Sequence, residues 1–485
     1  MNTLLKNTLG AVGLVLLILA QLSCRKLAEV NAPITSVNAA NVYNTDATAA
    51  AVLTGIYTKI SDQDYDLSVI DNINGISLFP SLSADDLTLY DLSNTILLPY
   101  YRNDLNSLIS SGGVFWNSIY PIIFVTNSAI EGLNNSTGLT PAVKQQLLGE
   151  AKFMRAFCYF YLINLYGDVP LATSSDYKIN SVLPRTSKGQ VYQQILADLK
   201  DAQNLLSTNY LMSDALSAYA VGSEERVRPT KWAATALLAR VYLYTGDYVN
   251  AETQATAVIN NSSLYRLTSL NSVFLKNSTE AIWQLQPVRT GTQSNTGEGA
   301  LFILPATGPD ASGHPVYLAN TLINSFEAGD KRRVNWVDSV TVGSVTYYYA
   351  FKYKISMANT ATAEYIMIMR LAEQYLIRAE ARVQQNNISG GQIDLDTIRT
   401  RVSLPGTLAN DKPSLLAAIL HERQVEFFTE WGHRWFDLKR TDNIDAVMAT
   451  ITPLKGGSWS PFKALYPIPS GEKNLDLNMT QNTGY

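Results

Sequence analysis

The stretch "TKWAATALLARVYLYTGDYVNAETQATAVIN" (residues 230–260) decides the fold. It reads as a helix, a Gly-Asp turn at 246–247 and a second helix. Within the first helix the small residue Ala239 is followed three positions on by Tyr242-Leu243. A small residue lets a neighbouring helix come close, and a Tyr three residues on lies on the same face. The pattern recurs at Cys158…Tyr161-Leu162 and at Ala372…Tyr375-Leu376. Three such units predict a chain built mainly on packed helices.

In the quoted copy, Ala239, Tyr242, Gly246, Tyr248 and Ala251 match tetratricopeptide spacing. The copies are unevenly spaced, so the chain reads as diverged repeats separated by insertions rather than as a regular solenoid. The spacing predicts further helices in "PAVKQQLLGEAKFMRAFCYFYLINLYG" (141–167), with Thr140 as cap and Gly167 as stop, and in "KGQVYQQILADLKDAQNLL" (188–206). It also predicts one helix over 365–386 and one over 412–440. Residues 61–113 read as loops and short helices. The largest insertion, 260–364, holds strand-like pieces, "AIWQLQP" (281–287) and "VTVGSVTYYYAFKYKI" (340–355). The fold class is therefore mostly α, with helix pairs as scaffold, long loop-rich insertions and a few short strands.

The 485 residues are 46 % hydrophobic, enough for a substantial core. A net charge of −4 speaks against a nucleic-acid binder, which would show a basic face. Only 16 % of residues are charged, while 27 are Tyr. Such a surface is polar without being charged, which suits exported proteins and neutral polar ligands such as sugars.

Lys6 followed by a 12-residue apolar run, Leu9 to Ala20, has the form of a signal peptide and is too short to span a bilayer. The run ends in Gln21-Leu22-Ser23-Cys24. A small residue before Cys at this point resembles a bacterial lipobox, so Cys24 is expected to become a lipidated N-terminus after removal of residues 1–23. The other cysteine, Cys158, sits in an apolar helix and reads as a buried thiol.

Five stretches carry a family resemblance: "GEAKFMRAFCYFYLINLYGDVPL", "FEAGDKRRVNW", "MRLAEQYLIRAEA", "ERQVEFFTEWGHRWFDLKRT" and the terminal "YPIPSGEKNLDLNMTQNTGY". Together and in this order they resemble the SusD/RagB family of outer-membrane nutrient-binding lipoproteins. The resemblance implies a tetratricopeptide-like scaffold with a ligand site on inserted loops. It implies an N-terminal half (24–225) and a C-terminal half (226–485) packed as one unit. It also implies lipid anchoring at the outer membrane, facing outward, and a SusC-like TonB-dependent transporter as partner. The implied ligands are oligo- or polysaccharides, and peptides in some members.

The carboxylates Glu422, Glu426 and Glu430, with Arg423, Arg434, Asp437 and Arg440, recur along 422–440. They read as an ion-pair network docking this segment, not as a catalytic pair. The three His (314, 421 and 433) have no metal-ligand spacing, and neither a phosphate loop nor a nucleophile elbow is present. No cofactor is expected. The Asp-rich stretch 62–71 offers oxygen donors for a calcium ion, without a diagnostic spacing.

A sugar ring stacks its C–H face on an aromatic ring and gives its hydroxyls to polar side chains. Two loop regions mix these residue types: one with Tyr65, Phe79, Asp85, Asp86, Tyr90, Tyr100 and Tyr101, the other with Gln293, Asn295, Phe302 and Tyr317, and Trp336 beyond. The family builds its site on such loops. The expected ligand-binding residues are Tyr90, Asp85, Phe302 and Tyr317, then Tyr65. Trp283 is expected in the core, and Trp336 fits a structural place as well as a site. Three classes compete: non-catalytic capture of a glycan or peptide, an exported glycoside hydrolase, and a scaffold that binds only protein.

Overall fold

The computed structural model describes residues 41–62, 73–107 and 113–485. Cys24, Tyr65 and the stretch 63–72 lie outside the described residues. The principal helices are α1 (Asp46–Ser61), α2 (Val114–Asn135), α3 (Pro141–Tyr166), α4 (Lys188–Leu205), α5 (Lys231–Tyr244) and α6 (Tyr248–Ile259), followed by α7 (Leu371–Gln384), α8 (Ile388–Arg401), α9 (Lys412–Phe427), α10 (His433–Arg440) and α11 (Ile444–Leu454). Neighbours in sequence pack side by side: α2 on α3, α3 on α4, α4 on α5, α5 on α6, α6 on α7 and α7 on α8.

Local chemistry sets where these helices begin. Side chains of Ser187, Thr230, Asp247 and Asn387 accept backbone N–H groups in the first turns of α4, α5, α6 and α8. Asp411 and Ser414 cap α9 reciprocally. Helix α3 ends at Gly167, whose φ of 75° is open to glycine at little cost. The recurring small residues do what their spacing predicts: Cys158, Ala239 and Ala372 are fully buried between helices. Burial pushes the Cys158 thiol far up, so it is an inert core group.

Among the described residues, a two-residue pair joins Val169–Pro170 to Arg185–Thr186, and the six longer strands are β1 (Leu87–Leu89), β2 (Ala281–Leu285), β3 (Val316–Leu318), β4 (Val337–Val342), β5 (Val345–Ala350) and β6 (Ile366–Arg370). They form antiparallel pairs β1–β3, β2–β6 and β4–β5. Both strand-like pieces read from the insertion are therefore strands, and Trp283 on β2 is in the core.

Two predicted helices are corrected. The stretch 365–386 is not one helix: Ile366–Arg370 is a strand, buried along its length against β2, and α7 starts only after it. Its apolar run is too uniform to tell a buried strand from a buried helix by period alone. The stretch 412–440 is also broken. Thr429, Trp431 and Gly432 have φ of 55°, 42° and 71°, which forces a tight turn between α9 and α10. Trp431 pins that turn, its indole N–H donating to the Met367 carbonyl at 2.8 Å. A Cβ at Gly432 would stand 2.9 Å from the Phe436 ring.

The charged residues of 422–440 form a buried network that ties five parts of the chain together. Glu426 pairs with Arg332 at 2.8 Å, with Arg370 at 2.7 Å and with Arg401. Glu422 pairs with Arg332 and Arg399, and Glu280 with Arg370 and Arg401. Asp437 is held by Arg423 and Arg440, both at 2.7 Å. Burial alone would raise the Glu426 carboxyl. The guanidiniums of Arg401, Arg370 and Arg332 outweigh it and hold it well below the usual range. This is the docking role read from the sequence. Trp336 belongs to it, fully buried with Lys352, Arg370 and Arg401 over its ring.

Candidate functional site: a tyrosine face

Three segments far apart in sequence meet at one surface. Strand β1 pairs with β3 so that Thr88 faces Tyr317, and the Tyr90 N–H donates to the Pro315 carbonyl at 2.8 Å. Strand β5 packs on β3 and brings Tyr347 between the two. The Tyr347 ring meets Tyr317 edge-on at 5.1 Å and Tyr90 edge-on at 6.0 Å. Tyr90 is 45 % exposed, while Tyr317 and Tyr347 are half-buried. The loop 308–315 closes one side. Asp310 Oδ1 accepts the N–H groups of Ser312 and Gly313, and its other oxygen meets His314 Nδ1 at 2.9 Å. Gly308, at φ 84°, lies against Val342 and Tyr347, where a Cβ would come within 2.8 Å of Val342.

This arrangement brings three rings together edge-on at one surface. Edge-on pairing of rings is itself favourable, by about 0.5–1.5 kcal/mol beyond the area buried. The contact with Tyr347 favours one orientation of the exposed Tyr90 ring. Burial pushes the Tyr317 hydroxyl above its ordinary value, and Tyr101 and Tyr347 beside it push the same way, so it stays a neutral donor.

Of the five expected ligand residues, Tyr90 and Tyr317 come together here. Two are corrected. Asp85 is buried, and both its oxygens are bound at 2.8 Å by Arg434 of α10. It is a structural anion, spoken for inside the protein, and the Arg434 pairing outweighs burial to keep it ionised. Phe302 ends a short helix, Gly297–Phe302, and is buried among Glu298, Lys352 and Tyr353, away from solvent. Tyr65 lies outside the described residues. Asn295 is buried and holds the 360–364 backbone instead of facing solvent. Tyr347 was missed. Its signal was the alternation in "VTYYYA", which puts 347 and 348 on opposite faces of a hairpin strand. Tyr348 accordingly stacks under Arg333, at 4.7 Å.

Beneath β1 lies a second charged cluster. Asp86 is 1 % exposed, and neither carboxylate oxygen has a hydrogen-bond partner among the described residues. Lys455, also buried, gives its ammonium to the carbonyls of Leu82, Ser83 and Ala84 instead. Burial, reinforced by Asp85, pushes the Asp86 carboxyl up to about 8; burial pushes Lys455 down to about 7. A carboxyl raised on folding stabilises most below its unfolded value near 4, and that stability is lost as pH rises towards 8. Lys455, lowered on folding, works the other way only above about pH 7. Asp86→Asn, which keeps the shape and removes the charge, is therefore expected to gain stability relative to the unmodified chain between pH 4 and pH 7. Urea midpoints of both proteins across that range measure it. An unchanged difference would place the Asp86 charge in contact with solvent.

Another groove, about 510 Å³, lies elsewhere, between α2 and the segment 472–479. Trp116, Ile123, Phe124, Leu475 and Met479 make its walls mostly apolar. Tyr120, Tyr177, Asn180, Ser181, Glu472 and Asp476 also line it. Among the described residues no group of three or more His, Cys, Asp or Glu side chains is placed to hold a metal ion, and no helix is long and apolar enough to cross a membrane.

The chain as a whole is similar to known proteins. Residues 91–243 match the model of a family described as starch-binding and associating with the outer membrane, and residues 320–485 match the SusD family model. A SusD-like protein of Formosa agariphila is 29 % identical, over 80 % of this chain and 82 % of its own. The starch-binding protein SusD of Bacteroides thetaiotaomicron is 23 % identical, over 73 % and 75 %. Among solved structures, a laminarin-binding SusD-like protein superposes with a TM-score of 0.74 at 22 % identity, covering 91 % of this chain and all of that one. A surface glycan-binding protein of Bacteroides fluxus gives 0.73 at 21 % identity, over 90 % and 99 %.

Proposed function

The chain belongs to the SusD/RagB family, and from that premise we propose that it is a cell-surface binding protein that captures an oligo- or polysaccharide and passes it to a TonB-dependent outer-membrane transporter. The observation that carries this reading is the set of Tyr90, Tyr317 and Tyr347, brought together at a surface where three strand segments meet. Rings held edge-on offer stacking faces for a sugar's C–H surface, and their hydroxyls offer donors. The glycan-binding relatives favour a glycan as the class of ligand. Lipidation at Cys24 would hold the protein at the outer membrane, beside the transporter that receives the ligand.

No catalytic role is proposed. The carboxylates that could tempt a hydrolase reading, Glu422, Glu426 and Asp437, are each paired with arginines inside the fold. A hydrolase needs two carboxyls open to one sugar linkage. A panel of polysaccharides and peptides, tested for retention of the soluble chain and for release of products, examines the proposal. Retention by one glycan class without products is the expected result. Retention by peptides alone would keep the family and change the ligand. Products lost on changing a single carboxylate would replace capture by hydrolysis.

A further inference from the structure

A polar cleft of about 500 Å³ opens between the last turns of α1, the turn 211–219 and the chain leaving β2 at 285–290. It shares no residue with the tyrosine face. Its volume lies within the range of small-molecule sites, roughly 300–1,000 Å³.

The two charged side chains that line it are already neutralised. Arg228 forms the floor, paired with buried Glu150 at 2.7 Å and bound also to Thr54 and to the Met212 and Ser213 carbonyls. The Tyr57 hydroxyl donates to the same Glu150 at 2.7 Å. Arg289 pairs with Asp62 at 2.7 Å and donates to Gln293 at 3.0 Å. An anion entering the cleft would compete with a carboxylate in place, and among the described residues a cation would find no free carboxylate on the walls. In contrast, the side chains of Thr58, Ser213, Tyr219, Gln286 and Thr290 line the cleft and make no hydrogen bond to a described residue. They supply hydroxyls, one amide and one half-buried ring around a charge-balanced floor. This is the donor and acceptor set of an uncharged, hydroxyl-rich ligand.

We propose that this cleft is a second saccharide site, taking one or two uncharged sugar units, separate from the tyrosine face. The proposal rests on the saccharide reading above. Two sites on different faces would let a long glycan be held at two points, so that the second contact forms at a high effective concentration.

The test uses the soluble chain with maltohexaose, laminarihexaose and an oligogalacturonate as probes. Tyr317→Ala with Tyr347→Ala silences the first site, and Tyr219→Ala with Gln286→Leu alters the cleft at side chains that make no hydrogen bond to a described residue. Binding is read by titration, and position by hydrogen exchange of 211–219 and 285–290. The expected result is residual binding of a neutral hexasaccharide after the first pair of changes. It should fall at least tenfold when the second pair is added, with exchange protection at the cleft. The charged oligomer should give no such protection. Neutral sugar that binds and protects the tyrosine face alone would overturn the second site and leave the capture function standing. Protection of the cleft by the galacturonate alone would overturn its assignment to an uncharged ligand. Failure of every saccharide to bind at either place would overturn both readings.

Discussion

Glu426→Ala is expected to cost about 3–5 kcal/mol of folding stability, the scale for removing one partner of a buried ion pair. The fully buried Glu426 neutralises Arg332, Arg370 and Arg401, which come from three separate parts of the chain. Removing it leaves cations in the interior with too little counter-charge. Glutamine keeps the shape and loses the charge, so Glu426→Gln should fall between Ala and the unmodified protein. An exposed pair provides the contrast. Lys152 and Asp201 are 21 % and 54 % exposed, and Lys152→Ala should shift stability by less than about 1 kcal/mol. Urea midpoints measure all three variants. The carboxyl of Glu426 is held low on folding, so its contribution is present above the unfolded value near 4 and fades as pH falls below it. A Glu426→Ala protein as stable as the unmodified chain would mean that the network does not hold the C-terminal helices in place.

Cys24→Ser is expected to move the protein from the membrane fraction to the soluble one. A buried acyl CH₂ contributes about 0.8 kcal/mol, and two chains on one residue suffice for stable anchoring. Without them the chain offers no substitute among the described residues, since no described helix is long and apolar enough to insert. Cell fractionation with metabolic labelling by a palmitate analogue reads both outcomes. Loss of label and loss of membrane association should occur together. Membrane association that survives without label would assign the attachment to a protein partner.

The sequence carried the scaffold further than the site. Small residues at Cys158, Ala239 and Ala372, with capping residues such as Ser187 and Asp247, are local signals, and helices answer to local signals. The two misread segments failed for one reason. Ile366–Arg370 and the turn at Thr429–Gly432 take their shapes from distant partners, β2 in one case and Met367 in the other. The site depends on such long-range meetings throughout. Tyr90 and Tyr317 were legible as aromatic residues in polar loops. That Tyr347 would seat itself between them depended on where a hairpin packs, which no nearby residue encodes. Asp85 and Phe302 show the converse. Their residue types suit a sugar, yet Arg434 claims one and the core claims the other.

The central claim is that the tyrosine face captures the glycan. It is tested most directly by calorimetric titration of the soluble chain and of Tyr347→Ala with the polysaccharide that the panel retains. Tyr347 touches both other rings, so its loss should release Tyr90 and open Tyr317 together. The account predicts at least a tenfold loss of affinity, about 1.4 kcal/mol or more, with an unchanged thermal midpoint. Equal affinity in the two proteins, both folded, would contradict it and move the binding site off this face.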